Sequence, residues 1–183
     1  MQEDKSQLMN YAMHGGLFLG LFWAMKYVLV LNVEQQPVLQ PVVSFLSLGT
    51  PLFALYFLVK YKAIVGSVKL NFWHGMQFSI MLFFFASILE AVVVFVHVTW
   101  IDTAFIGKLY ANMLETVKTL KLGDKMAASI QEQPLPSTVN YLISNVVLAN
   151  VFIGILLSFV LVPLANRYNF RNLKSKQTDS NES

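Results

Sequence analysis

Long apolar stretches separated by short polar connections dominate the pattern of this chain. Four stretches reach about twenty mostly apolar residues, the length that a helix needs to cross the hydrocarbon core of a bilayer. They run from about Ala12 to Leu31, Val38 to Val59, Gly75 to Thr99 and Val139 to Leu164. The pattern predicts an all-α integral membrane protein, a four-helix bundle formed by one domain over residues 1–166 and followed by a polar tail over residues 167–183.

The long connection between the third and fourth spans, residues 100–137, has a helical pattern of its own. Apolar residues recur every three or four positions over residues 105–120, and the pattern ends at Gly123. Asp102 or Thr103 can cap the start of this helix. We expect an amphipathic helical insertion that packs against the outer end of the bundle. A lid or a partner-binding helix is the alternative role.

Three weaker local signals complete the predicted elements. A shorter helix is expected over about Asp124 to Gln131, and Ser137 or Thr138 is a plausible cap for the fourth span. Gly49 and Pro51 lie inside the second span, where such a pair can kink a membrane helix.

The composition argues against an ordinary soluble domain. The expected partner of the chain is the lipid bilayer that surrounds it. Hydrophobic residues make up 56% of the chain, charged residues only 13%, and the mean hydropathy is +0.56. A typical soluble domain is closer to a quarter charged. The net charge of +3 gives little support for nucleic-acid binding, so no nucleic-acid partner is expected. The absence of cysteine excludes disulfides and thiolate metal sites.

The orientation follows from the positive charges in the connections, because cytoplasmic segments collect Lys and Arg. The connection between the second and third spans holds Lys60, Lys62 and Lys69 without an acidic residue, and Arg167, Arg171, Lys174 and Lys176 follow the fourth span. The other two connections carry acidic residues and no excess of basic ones. We therefore expect a multi-pass protein of the bacterial inner membrane, with both termini cytoplasmic and the insertion in the periplasm.

The third span contains a carboxylate, Glu90, in the stretch MLFFFASILEAVVVFVHVTW. An unpaired charge near the bilayer centre costs at least about 2.5–3.5 kcal/mol. At 1.5 Å per residue, Lys26 lies about 18 Å above His14 in the first span, and Glu90 about 24 Å above His74 in the third. A lysine stem can bridge one helical turn. The hypothesis is an interhelical ion pair between Lys26 and Glu90.

Two asparagines of the fourth span extend this hypothesis to a polar intramembrane cluster. Asn145 and Asn150 reach similar depths and could donate hydrogen bonds to the pair. The cluster could fix the register of the helices, as buried polar groups often do. A proton or ion pathway past Glu90 is an alternative, and so is separate snorkelling of Lys26 and Glu90 toward the membrane surface.

The remaining motifs indicate helix packing and do not indicate a metal site or a catalytic site. Gly16 and Gly20 form the sequence GLFLG, whose spacing allows two helices to approach closely. His14, His74 and His97 lack the spacing of metal ligands, so no metal and no cofactor are expected. No nucleophile elbow, catalytic triad or phosphate-binding loop is present, which argues against an enzyme and leaves no catalytic residues to name.

Four ordered features give the chain a family resemblance. They are the opening helix HGGLFLGL, the basic segment before NFWHGMQFS, the third span running into WIDTAFIGKLYANMLE, and the closing span that ends in LANR. Over about residues 8–166 the chain resembles a family of small bacterial four-helix inner-membrane proteins known only as a domain of unknown function. The resemblance implies a four-helix topology with an outer helical insertion, and it supplies no activity.

These observations favour a membrane protein of unknown activity that serves as a structural or accessory component. It would act as a homo-oligomer or with another membrane protein, because four thin helices enclose little space alone. The alternative is a small oligomeric transporter or channel, with an ion or proton pathway near Glu90.

Overall fold

The computed structural model describes residues 2–33, 36–66, 69–121 and 124–168. Four of its helices are long and apolar enough to cross a membrane: Ser6–Leu31, Leu39–Ile64, Phe72–Ile101 and Thr138–Arg167. The described ranges contain helices, turns and no β-strand. The all-α membrane bundle expected from the sequence is therefore confirmed. Most of the predicted tail lies outside the described residues.

The described residues form eight α-helices, in the order predicted for the spans and the insertion. They are α1 (Gln2–Leu31), α2 (Leu39–Ser47), α3 (Gly49–Ile64), α4 (Phe72–Val96), α5 (Phe105–Thr119), α6 (Asp124–Glu132), α7 (Thr138–Tyr141) and α8 (Ala149–Arg167). Two π-helical segments complete the third and fourth spans. The segment His97–Ile101 extends α4, and the segment Leu142–Leu148 joins α7 to α8. The spans are therefore α1, α2 with α3, α4 with its extension, and α7 with α8.

The second span is interrupted at Leu48, where α2 ends and α3 begins. The predicted pair Gly49 and Pro51 follows directly. Proline has no N–H to donate to the carbonyl four residues earlier, so the hydrogen-bond ladder of the helix is open at this point. The interruption lies beside the polar cavity described below.

The core of the bundle is built around α4, which makes its most extensive contacts with α1 and α8. The predicted small-residue motif lies in the first of these interfaces. A Cβ atom added to Gly16 would lie 2.6 Å from Phe85 Cβ, and one added to Gly20 would lie 2.7 Å from the Ala86 carbonyl oxygen. Only glycine leaves room for this approach of the two helices, as the spacing in GLFLG predicts.

The insertion is anchored at one end of the bundle, which we call the insertion end. Ile106 of α5 is buried in an apolar cluster with Val94, Val98 and Tyr141, so α5 docks onto the ends of the third and fourth spans. The opposite end, where the first span begins and the fourth ends, is called the terminal end.

The start of α5 differs from the predicted cap. Its N-cap residue is Ala104, which makes no side-chain capping bond. Asp102 instead accepts a 3.1 Å hydrogen bond from the Ala104 N–H and holds the Lys108 ammonium at 2.8 Å. Carboxylate and lysine together secure the turn before the helix. The predicted end at Gly123 lies outside the described residues.

The cap expected at the fourth span is present. The Ser137 hydroxyl accepts a hydrogen bond from the Asn140 N–H at 3.4 Å, while its backbone is extended as a capping residue requires. The shorter helix also forms, and it ends at Glu132, one residue later than predicted.

The end of the fourth span is held by a buried lysine. Lys62 is only 2% exposed, and its ammonium donates to the carbonyls of Ala165 at 3.2 Å, Asn166 at 3.4 Å and Tyr168 at 3.2 Å. These carbonyls lie in the last turn of a helix and just beyond it, where no intrahelical donor reaches them and the helix dipole favours a cation. Lys62 therefore belongs to the bundle, although the sequence places it among the charges of a connection.

Candidate functional site

A polar cavity of about 250 Å³ lies between the spans, on the side of their midpoint nearer the insertion end. Each of the four spans contributes at least one polar side chain to its wall. These residues are Trp23, Lys26, Ser47, Thr50, Glu90 and Asn150. Phe83, Ile153 and Leu157 supply apolar wall. Six polar side chains from all four spans therefore converge at this cavity.

The Glu90 carboxylate is held by the fourth span. The Asn150 side chain donates a 2.7 Å hydrogen bond to its Oε2 atom, and both side chains are half-buried. A short bond to a carboxylate in a weakly polar environment is one of the stronger hydrogen bonds in proteins. Asn150 thus provides the hydrogen-bond partner that a carboxylate inside a membrane span requires.

Lys26 lines the same cavity but does not form the direct ion pair predicted with Glu90 in the part of the chain that the structure describes. Its charge still attracts the carboxylate from a greater distance. Lys26 lies about one and a half turns before Leu31, the end of its span, so the ammonium can keep polar lipid and water near it. The short Asn150 side chain cannot reach the membrane surface, and its hydrogen bond to Glu90 offsets the cost of removing its amide from water.

Asn145 does not join the cluster. Its side chain is exposed, and its amide donates to the Tyr141 carbonyl of its own helix at 3.4 Å. Depth alone placed Asn145 beside Asn150, but the two side chains lie on different faces of the fourth span. Asn150 faces the cavity and Asn145 faces outward.

The wall between the first and second spans is closed by a contact that the sequence interpretation missed. The Trp23 indole N–H donates to the Thr50 hydroxyl at 3.0 Å, and Trp23 is only 3% exposed. Trp23 precedes Lys26 by three positions, so the two share one face of α1. That spacing was the available signal, together with the position of Thr50 inside the Gly49–Pro51 interruption.

A family model described as a protein of unknown function, DUF4199, matches residues 14–162. The chain belongs to this family. The DUF4199 match reaches into all four spans and contains every polar residue of the cavity. No curated protein and no solved structure matches the chain. The family resemblance stated from the sequence is confirmed, and the DUF4199 description assigns no activity.

A second polar layer within the DUF4199 match lies nearer the insertion end. Tyr27 and His97 hydrogen-bond through the phenol oxygen and Nδ1 at 2.9 Å, and His97 is only 8% exposed. The Phe105 ring packs edge-on against His97 at 5.0 Å between centroids. His97 therefore links the first span, the third span and the start of the insertion, rather than lying at the membrane surface as an isolated histidine.

Two irregular helical segments adjoin the cavity and the second layer. The π-helical segment Leu142–Leu148 ends two residues before Asn150, and the segment His97–Ile101 begins at His97 itself. π-helical turns interrupt the regular ladder and are frequent at functional sites. Asn150 and His97 thus lie next to or within segments where their spans depart from α-helical geometry.

The chemistry that the cavity can perform follows from its groups. Glu90 can bind or release a proton, Lys26 supplies a positive charge, and Asn150 and Thr50 offer neutral hydrogen-bonding atoms. Among residues 6–33, 36–66, 69–121 and 125–168, no three His, Asp or Glu residues lie close enough to hold a metal ion. The arrangement suits the binding of a proton or a small polar solute.

Proposed function

We propose that the chain is a non-enzymatic structural or accessory component of the bacterial inner membrane that acts as a homo-oligomer. The observation that carries this proposal is the exposed side chain of Asn145 inside the fourth span. An amide facing hydrocarbon lacks the partners that water would provide, and asparagine in membrane helices promotes helix association for this reason. A second copy of the chain can supply the missing partner.

The amide of Asn145 is suited to pairing with itself. Its N–H group already donates a long bond to its own helix, while its oxygen accepts no hydrogen bond from any residue that the structure describes. An amide both donates and accepts, so two copies related by a twofold axis can bond reciprocally. A homodimer with the fourth spans in contact is the simplest assembly of this kind.

The outer half of the second span supports assembly independently. Helix α2 contains no buried residue, so it adds nothing to the core of its own chain. Ser44 and Ser47 are exposed on it, and small residues permit close helix contact in membranes. This surface is available to the same oligomer or to a partner membrane protein.

The proposed orientation places both termini in the cytoplasm. Lys60, Lys69 and Arg167 are exposed at the terminal end of the bundle. Positive charges of short connections stay on the cytoplasmic side. The insertion end, with α5 and α6, would then face the periplasm.

Disulfide crosslinking tests the homo-oligomer, because the natural chain has no cysteine. We expect Ser144→Cys, next to Asn145, to give a disulfide-linked dimer when native membranes are oxidised. Adding Asn145→Leu should remove most of the dimer. The matched control Asn140→Leu, an exposed asparagine one turn nearer the membrane surface, should leave it. A chain that forms no crosslink, or a crosslink that Asn145→Leu leaves intact, contradicts the proposal.

A second candidate function is a small oligomeric transporter with a proton or ion pathway past Glu90. The polar cavity favours it, because all four spans contribute polar groups there. A hydrophobic carbodiimide reacts with a protonated carboxyl group, so Glu90 should be labelled in membranes and less so as the pH rises. Glu90→Gln provides the blank. Failure to label Glu90 at any pH would exclude the pathway.

A further inference from the structure

A second cavity, at the terminal end, lies in a different part of the bundle from the Glu90 site. Its volume is about 380 Å³, within the range of small-ligand pockets, roughly 300–1,000 Å³. Asn10, His14, Lys60 and Tyr61 contribute polar groups to its wall, and Gly15, Phe18, Phe57 and Phe78 contribute apolar surface. The first, second and third spans therefore share one amphipathic pocket.

The polarity of this pocket changes with depth. On the first span, Phe18 lies one turn deeper in the membrane than His14. On the second span, which runs in the opposite direction, Phe57 lies about one turn deeper than Lys60. The Phe18 and Phe57 rings stack with 6.3 Å between centroids. Both helices thus place a basic residue at the rim and an aromatic ring beneath it.

The rim of the pocket carries positive charge. Lys60 is exposed, lies 5.9 Å from the centroid of the Tyr56 ring and makes no ion pair with the carboxylates that the structure describes. His14 donates from Nδ1 to the Asn10 carbonyl at 2.7 Å, because a carbonyl can only accept. Its Nε2 atom is left to face a ligand, which it can contact as an acceptor or, when the ring is protonated, as a donor.

Beneath the rim, the pocket continues as an apolar slot. Gly15 lets the side chains of the slot wall pack directly against the first span, since a Cβ atom there would lie 2.8 Å from Leu82 Cδ1 and 3.1 Å from the Phe57 ring. The Phe78 ring is fully buried and forms part of the wall. A slot of this kind accepts hydrocarbon and excludes a fully hydrated ion.

We infer that this pocket binds one anionic phospholipid, with the phosphate at Lys60 and His14 and the start of an acyl chain packed against the stacked rings of Phe18 and Phe57. A negatively charged phosphodiester complements the Lys60 ammonium, and basic pockets between membrane helices on the cytoplasmic side are suited to such headgroups. A choline lipid carries its own cation and gains less from Lys60. The inference stands independently of the homo-oligomer and of the Glu90 pathway.

Native mass spectrometry of the full chain from mild detergent tests this inference. With phosphatidylglycerol added, we expect one retained lipid per chain, and with phosphatidylcholine none at the same concentration. Lys60→Gln should weaken phosphatidylglycerol binding about fivefold, the factor expected for one basic residue near an anionic lipid. Lys60→Arg should retain it. Lys69→Gln, at an exposed lysine of the same end outside the pocket, should not change it.

Three results would overturn the inference. Equal retention of phosphatidylglycerol and phosphatidylcholine would show that the charge of the headgroup does not determine which lipid binds. Equal losses in Lys60→Gln and Lys69→Gln would show a diffuse attraction to the basic surface. Displacement of the lipid by inorganic phosphate at comparable concentration would show a site for a free anion. Because Lys60 is exposed, its variants should elute from gel filtration as the natural chain does.

Discussion

The Glu90 carboxylate accepts its 2.7 Å hydrogen bond from Asn150, so a neutral amide joins the third and fourth spans across 60 residues of sequence. Lys26 lines the same cavity without making that contact. The charged partner therefore contributes through its field, while the amide fixes the position of the carboxylate. Because Asn150 makes the direct contact, its substitution should lower the stability of the bundle.

Asn150→Leu should destabilise the folded bundle by about 1–2 kcal/mol, because Glu90 loses its donor in a weakly polar environment. Thermal unfolding in mild detergent measures the loss. Asn140→Leu serves as the control, because Asn140 is exposed near the insertion end and water can replace its contacts. Equal melting temperatures for the two variants would contradict the role assigned to Asn150.

Gly20→Ala should lower stability by about 1–3 kcal/mol, because its new methyl group would meet the Ala86 carbonyl oxygen at 2.7 Å and force α1 away from α4. Gly107→Ala is the matched control. The nearest atom to its added Cβ is Leu135 Cδ1 at 3.8 Å, an ordinary contact, and alanine favours the helix. The interface argument fails if Gly20→Ala unfolds at the same denaturant concentration as the natural chain.

Lys62→Ala should cost about 2–3 kcal/mol, since carbonyls at the end of α8 would lose a charged donor inside the protein. Lys60→Ala removes an exposed lysine two positions earlier and should change stability little. Protease digestion should also cut the Lys62 variant faster near residue 168. Comparable stability of the two variants would show that the buried ammonium contributes nothing.

Lys108→Ala should raise the pKa of the Asp102 carboxyl toward its ordinary value. The hydrogen bond and the charge of Lys108 hold this pKa below the usual range, against a smaller effect of desolvation. A carboxyl whose pKa is lowered by folding stabilises the fold above its unfolded pKa, and this contribution is lost as the pH falls through the folded value. NMR titration of the carboxyl carbon measures the shift. Lys118→Ala, on the same helix, should leave the Asp102 titration unchanged.

The membrane fold could be predicted because crossing a bilayer requires a long apolar helix, and four such stretches are visible in the sequence. The ends were less accessible. The second span was predicted to end at Val59, but its helix continues to Ile64 because Lys62 finds acceptors inside the bundle and Lys60 extends its stem to the surface. Apolarity alone does not reveal which lysine will be buried.

The site was predictable in depth but not in direction. Counting residues at a fixed rise placed Glu90, Lys26 and Asn150 at comparable heights, and the structure lines one cavity with all three. The direction in which each side chain points depends on helix packing and on the π-helical segment before Asn150. The hydrophobic periodicity of the sequence does not predict that segment. The outward position of Asn145 could therefore not be predicted from the sequence.

The burial of Lys62 also orders events during synthesis of the protein. Its carbonyl acceptors, beginning with Ala165, are translated more than a hundred residues after it, so the ammonium has no permanent partner while the second span enters the lipid. We therefore expect a nascent chain at that stage to keep the lysine among headgroups and water, with the end of the second span displaced toward the surface. Withdrawal of this charge from solvent then marks the moment at which the final helix has docked.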